Sequence, residues 1–516
     1  MTSSAPATPE SQSSESLTVA RGGIFLAGGS LFAYASRFFI ALLLAHHLGA
    51  NSYGEYILAV GMAGIASGIA YLGLPSAMVR FVAILARKRE WSGVWATLQI
   101  GILGSVGAGV VLGVALFVLA DPIATDVFGE PSIAELLRVL AVVVPFMSLS
   151  GVLGGALRGF KRMDYSAFGE NVVKSLVRLA LVIVLVVLDL NVLAAAVIYG
   201  ISEVATTITF VYLLNREFSL MRRPGGIRAE AREIAAFSFP LWLSGLLRKF
   251  RRNIQIVLVG SLGSVSAAGV FAIATKINLL GQVVYSSVLR SSRPSFAELL
   301  HDGKRSEAGH LYRTTTRWTF TANLPFFIIV ALYAGPILSL FGPEFTVGVS
   351  ALIVLAFAQL LTAGTGTCGT VIDMAGHTKV KLFNSVVWAT LLLVANWVLI
   401  PRFDIFGAAV ATLIGSVAIN VMRVGEVWVL ERIQPYDRSF LKSLAAGLGS
   451  AAIALLVGLL VSGDVTFVWA VVGAVLILGA YIGLLVLLGL APEDRTVLVR
   501  TYRKITGASR RGRVAA

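Results

Sequence analysis

Ten basic residues sit inside otherwise apolar stretches: Arg37, Arg138, Lys174, Arg178, Arg248, Lys249, Arg251, Arg252, Lys276 and Arg423. An Arg at the centre of a membrane-spanning helix costs roughly 2.5–3.5 kcal/mol even on a lenient insertion scale, so such residues tend to face a protein-lined, watery cavity. The densest group lies in PLWLSGLLRKFRRNIQIVLVG, residues 240–260, where Arg248, Arg251, Arg252 and Gln255 fall at i, i+3, i+4 and i+7 on one helical face, with Lys249 on its flank. No acidic residue on that helix offsets them. Guanidinium groups grip phosphate through paired hydrogen bonds, so this pattern suits a multiply anionic ligand. At about 1.5 Å per residue, Arg37, Arg178, the Arg248–Arg252 group and Lys276 all fall near mid-membrane depth. The predicted binding set is therefore Arg37, Arg178, Arg248, Lys249, Arg251, Arg252, Gln255 and Lys276. The competing role for these cations is pairing with the intramembrane acids Glu170, Glu203 and Glu426, or with Asp373 at a span end. Glu203 and Glu426 are also candidates for ion coupling.

The elements that must carry these residues follow from composition. The 516 residues are 57% hydrophobic and only 13% charged, with a mean hydropathy of +0.85. Soluble domains are nearer one quarter charged. Fourteen apolar stretches between residues 23 and 490 are each long enough to span a bilayer, and a helix is the open-chain element that satisfies its own backbone there. The expected fold is an all-α polytopic membrane protein of about fourteen transmembrane helices, in two six-helix lobes plus two C-terminal helices. Residues 1–20, without Lys or Arg, lack the pattern of a signal peptide and are expected to be a retained, disordered tail. The N-terminal lobe is placed at 21–215, a linker at 216–233, the second lobe at 234–431, two added spans at 432–490 and a basic tail at 491–516.

Charge placement sets the orientation. Of 42 Lys and Arg residues, the connections on one side hold 31, including Arg80, Arg87, Arg158, Arg290, Arg293, Lys304, Arg305, Arg313, Arg317 and Lys381. The other side holds Arg402 alone, with Glu55, Asp121, Asp126, Asp189 and Glu344. The positive-inside rule then puts both termini in the cytoplasm and the protein in the cytoplasmic membrane. The formal net charge of +15 thus reflects orientation and attraction to anionic lipid, with no nucleic-acid role. A repeat offset by about 214 residues supports two lobes: Leu48-Gly49 and Gly54 answer to Leu262-Gly263 and Gly269, and Pro122-Ile123 with Phe128-Gly129 to Pro336-Ile337 with Phe341-Gly342. Six helices separate equivalent points, so the repeats share one orientation, as in parallel-repeat transporters.

Other candidates are weaker. His46 and His47 are adjacent and point apart on a helix, so no metal site is expected. Cys368 is the one cysteine and excludes a disulfide framework. The stretch AGTGTCGT, Ala363 to Thr370, lacks the ending of a nucleotide-binding loop; its small residues allow close packing or a kink. No cofactor is expected.

Three motifs carry a family resemblance. LGANSYGEY (Leu48–Tyr56), GLPSAMVRF (Gly73–Phe81) and the block from Gly376 to Thr412, GHTKVKLFNSVVWATLLLVANWVLIPRFDIFGAAVAT, resemble those of the polysaccharide-transporter (Wzx-type flippase) family of the multidrug/oligosaccharidyl-lipid/polysaccharide exporter superfamily. The resemblance implies two six-helix lobes around a cavity and alternating access. It implies a polyprenyl-diphosphate-linked oligosaccharide substrate, and membrane lipids, a polysaccharide polymerase and glycosyltransferases as partners. Many relatives carry an Asp near the middle of span seven. This chain has Asn253 and Gln255 among its cations, so a cation-coupling site in that helix is not carried over. The alternative is a multidrug exporter of the same superfamily; an enzyme is not expected.

Overall fold

A computed structural model describes the backbone of residues 9–219, 227–460 and 467–489. Side chains are described over residues 32–489, except at 220–232, 240, 243–244, 246–252, 378, 438 and 458–466. The described residues form helices and no strand.

Helix α1, Pro9–Ala70, is interrupted at Gly49, whose φ of 73° and ψ of 174° break the helical run. The LGANSYGEY motif therefore occupies a helix break, not the open loop its glycines suggest. Leu72 and Gly73 also take positive φ, and α2, Leu74–Lys88, restarts the helix with Pro75 in its first turn. In α2 the residues Leu74, Ala77, Met78, Phe81 and Val82 are buried, at a spacing that makes one stripe. The stripe packs into a core with Val94 and Leu98 of α3 (Trp91–Val118), Leu153 and Leu157 of α4 (Ile133–Gly159) and Phe210 of a later helix. Helices α3 and α4 approach closely: a Cβ on Gly109 would lie 2.7 Å from the Pro145 backbone. In lipid, such small-residue contacts stand in for the hydrophobic drive that water supplies elsewhere.

A short helix, Met163–Ala167, and a π-helical run, Phe168–Val173, lead into α5, Lys174–Val187. Helix α6, Val192–Glu217, starts where Asn191 accepts a hydrogen bond from the Ala194 amide, 3.2 Å. Next come α7, Ile227–Leu262, and α8, Val265–His301. Helix α9 is Arg305–Ser339, α10 is Val349–Thr365, α11 is Cys368–Met374 and α12 is Thr378–Glu431. The last two are α13, Arg438–Leu460, and α14, Phe467–Leu487.

Helix α12 contains Asp404 at φ 49°, and its halves double back: Asn384 donates to Glu426 at 2.6 Å and His377 meets Glu431 at 2.9 Å. Both pairs centre on the break. Ten described helices are long and apolar enough to cross a membrane. Counting α1 and α12 as two passes each, and adding α5 with its lead-in and α7, gives about fourteen.

The connection between the eighth and ninth spans departs from the sequence expectation. Helices α8 and α9, with 37 and 35 residues, outrun a hydrocarbon core of about 30 Å. Arg290, Arg293, Arg305, Arg313 and Arg317 therefore lie on helices. Arg317, expected in an open connection, is only 6% exposed and pairs with Asp437 at 3.6 Å.

The chain forms two compact units, Met1–Ala272 and Ile273–Ala516, whose boundary falls inside α8. Helix α7 groups with the first, where a Cβ on Gly61 would touch Val257 and the Trp242 indole donates to the Ile69 carbonyl at 2.9 Å. The second unit has its own cores, one of Phe296, Tyr312, Cys368, Val371 and Val427, another joining Phe320, Leu324, Ala454, Ile477 and Tyr481.

Candidate functional site

The most concentrated intramembrane charge among the described side chains lies between α5 and α6, in the first unit. Lys174 and Arg178 are one turn apart on α5, and Tyr199, Ser202 and Glu203 face them from α6. Lys174 Nζ bonds Glu203 Oε1 at 2.6 Å, and Arg178 Nη2 reaches the same oxygen at 3.3 Å. Arg178 also donates from Nε and Nη2 to Ser202 Oγ, at 2.9 and 2.7 Å. Ser202 can accept because its own proton goes to the Tyr199 carbonyl, 2.7 Å away. The guanidinium lies over the Tyr199 ring, 4.0 Å from its centroid, and Tyr56 of α1 meets that ring edge-on at 6.5 Å.

Exposure separates the members. The Glu203 side chain is 1% exposed, that of Arg178 16% and that of Lys174 25%. A buried carboxylate is costly without partners, and this one is shared by two cations. Two positive charges against one negative leave the cluster one positive charge in excess. The π-helical run ahead of α5 is a distortion often found beside functional positions.

The other predicted residues are placed as follows. Arg37 is exposed on α1, and no described carboxylate lies within ion-pairing distance of it. Gln255 on α7 and Lys276 on α8 are half-buried. Arg248, Lys249, Arg251 and Arg252 belong to α7, but their side chains lie outside the described residues. Glu426 accepts from Asn384 within the second unit. Arg138 pairs with Asp121 at 2.5 Å. His47 meets the Leu190 carbonyl at 3.0 Å.

The glycine-rich stretch is a true helix break. Gly366, at φ 66° and ψ −137°, separates α10 from α11. The Tyr285 hydroxyl donates to its carbonyl at 3.2 Å, and the Tyr312 hydroxyl donates to Thr365 O at 3.1 Å. Those side chains satisfy carbonyls that the interrupted helix leaves open.

The profile of one protein family, polysaccharide biosynthesis protein, matches residues 19–300. The chain belongs to the polysaccharide biosynthesis protein family. That match runs from α1 into α8 and so includes both helices of the Lys174–Glu203 cluster. The MatE profile matches residues 240–398. Among curated proteins, the chain is 25% identical over 407 residues to the probable flippase AglR of Haloferax volcanii, covering 75% of this chain and 78% of that one. It is 25% identical over 451 residues to the succinoglycan biosynthesis transport protein ExoT of Rhizobium meliloti, covering 83% of each. Among solved structures it shares the fold of the lipid II flippase MurJ in an inward closed conformation. There the TM-score is 0.72 at 13% identity, over 89% of this chain and 98% of that one. The protein is thus a multi-pass membrane protein with a MurJ-like fold.

Within this family member, the structure brings the predicted residues Arg178 and Glu203 into contact. Lys174 is an intramembrane cation outside the predicted binding set that nonetheless belongs to this cluster. Its spacing of four from Arg178 was the available signal. Tyr56, Tyr199 and Ser202 carried no such mark, since a Tyr or Ser in a span is ordinary.

Proposed function

We propose that the chain translocates a polyprenyl-diphosphate-linked oligosaccharide from the inner to the outer leaflet of the cytoplasmic membrane by alternating access, with both termini cytoplasmic. The observation that carries this reading is the pair of Lys174 and Arg178 on the buried Glu203, a cluster with an excess positive charge inside a helical bundle. Membership of the polysaccharide biosynthesis family and the similarity to the probable flippase AglR and the transport protein ExoT point the same way. Arg37, Arg178, Arg248, Lys249, Arg251, Arg252, Gln255 and Lys276 bind the diphosphate and sugars, while the prenyl tail stays in lipid. Glycosyltransferases supply the substrate and a polymerase receives it. Glu203 and Glu426 remain the candidates for ion coupling.

The chemistry is electrostatic. Arg and Lys donors replace the water that a diphosphate loses on leaving the interface, and a low-dielectric surround strengthens each contact. A multidrug exporter of organic cations is the other reading, and an excess positive charge works against its cargo. The test is glycan export in a strain lacking the chromosomal copy. Replacing Arg248, Arg251 and Arg252 with Ala is expected to abolish export with protein levels intact; unchanged export would refute the assignment.

A further inference from the structure

We propose that Arg290 and Arg293, on the end of α8 that the charge rule places in the cytoplasm, form a loading site for the phosphates of the lipid-linked cargo, ahead of its passage to mid-membrane depth. The site rests on the lipid-diphosphate reading and the orientation above, and adds two residues outside the binding set named there.

The helix supplies the alignment. Lys276, Leu279, Val283, Ser286, Arg290 and Arg293 fall at i, i+3, i+7, i+10, i+14 and i+17, which keeps them on one face of α8. At about 1.5 Å per residue, Arg290 lies about 21 Å along the helix from Lys276. Arg290 and Arg293 are exposed, and so are Leu279 and Val283; Lys276 and Ser286 are half-buried. Gln282, at the edge of this face about two turns in from Arg290, is exposed as well. Hydrocarbon would penalise an exposed amide at that depth, so the face borders water from its cytoplasmic end inward. An anchor for bulk lipid headgroups needs charge at the membrane surface alone. The exposed apolar residues make the face amphiphilic, which suits a cargo with a charged head and a hydrocarbon tail.

The charge is also available. Arg290 turns back along the helix: Nε donates to the Ser286 carbonyl at 3.2 Å, and Nη2 reaches Ser286 Oγ at 3.5 Å. Three of its five N–H donors remain. No described carboxylate lies within ion-pairing distance of Arg290 or Arg293. Glu298, the next acid on α8, is five residues past Arg293 and so projects from another face. Neighbouring cations of the same unit are spent on acids: Lys304 on Asp302 at 3.5 Å, Arg305 on Glu431 at 3.4 Å, and Arg317 on Asp437 at 3.6 Å. Two guanidiniums one turn apart offer one cation to each ionised phosphate of a diphosphate, through charge-assisted hydrogen bonds.

The experiment measures initial rates of transbilayer movement of a fluorescent polyprenyl-diphosphate disaccharide by the full-length protein in phosphatidylcholine vesicles, as probe content is varied. Combining Arg290→Gln with Arg293→Gln is expected to raise the half-saturating probe content about fivefold or more, with the maximal rate within about twofold. Raising salt from about 0.05 to 0.5 M should raise half-saturation for the unaltered chain and change the double variant much less. Lys304→Gln with Arg305→Gln removes the same charge from the same helical hairpin and should leave half-saturation unchanged. The loading site is overturned if the first pair keeps the unaltered half-saturation, lowers the maximal rate alone, or acts no more strongly than the second pair. A defect that appears only when phosphatidylglycerol is added would assign the arginines to bulk anionic lipid and overturn it too. Probe movement by the unaltered chain with salt-independent half-saturation would overturn the site while leaving the flippase reading standing, and it needs no variant to fold. No movement by the unaltered chain would overturn both.

Discussion

At the residue scale, partner choice decides what each charge does. Arg178 shows why an Arg is required: it spends two donors on Ser202, one on Glu203 and its flat face on Tyr199. Arg178→Lys loses both the fork and the stack, about 1–2 kcal/mol, so glycan export should fall roughly tenfold. Export equal to the unaltered chain would show that charge alone suffices. Outside the spans, the Arg162 guanidinium hydrogen-bonds Asp164 and holds its carboxyl below the usual range. Arg162 also lies over Tyr165 and bonds Glu217. A depressed folded-state pKa gives stability that is present above about pH 3.9 and lost as pH falls through the lower folded value. Asp164→Asn should therefore flatten the acid side of a melting-temperature profile below about pH 5. A profile unchanged by the substitution would remove Asp164 from the account. The sequence showed which residues bear charge at mid-depth. It did not show that Lys174 and Arg178 share Glu203, because that contact depends on how α5 and α6 are rotated against each other.

At the element scale, apolar length located the spans, and the breaks were harder to place. Gly49 and Asp404 interrupt helices that run on either side of them, so a turn between two passes can hide inside an unbroken helical pattern. The extension of α8 and α9 beyond the membrane was likewise missed, since charged residues in a connection suit a loop and a projecting helix equally. The glycine-rich stretch did announce itself, because a run of small residues favours a kink. Gly366 lies in a region closed to other L residues, and a Cβ there would come 2.0 Å from Thr316 Oγ1. Gly366→Ala should cost at least about 2 kcal/mol, visible as a lower melting temperature in detergent. A melting point equal to that of the unaltered chain would mean the break is relaxed.

At the scale of the whole molecule, orientation follows from Lys and Arg placement, and one cysteine makes it easy to test. In a Cys368→Ala background, a cysteine at Asp189, which is 96% exposed, should react with a membrane-impermeant maleimide on intact cells. One at Lys304, 52% exposed, should react only after permeabilisation. The reverse pattern would invert the topology. Glu203 is legible in sequence as an intramembrane acid, whereas its burial behind two cations emerges only from the folded bundle. The most direct test of the central claim is transbilayer movement in proteoliposomes of a fluorescent polyprenyl-diphosphate disaccharide, followed by loss of its protection from a membrane-impermeant quencher. The account predicts protein-dependent movement that is lost when Arg178, Arg248, Arg251 and Arg252 are all replaced by Ala. Movement at the same rate in that variant, or none with the unaltered protein, would contradict it.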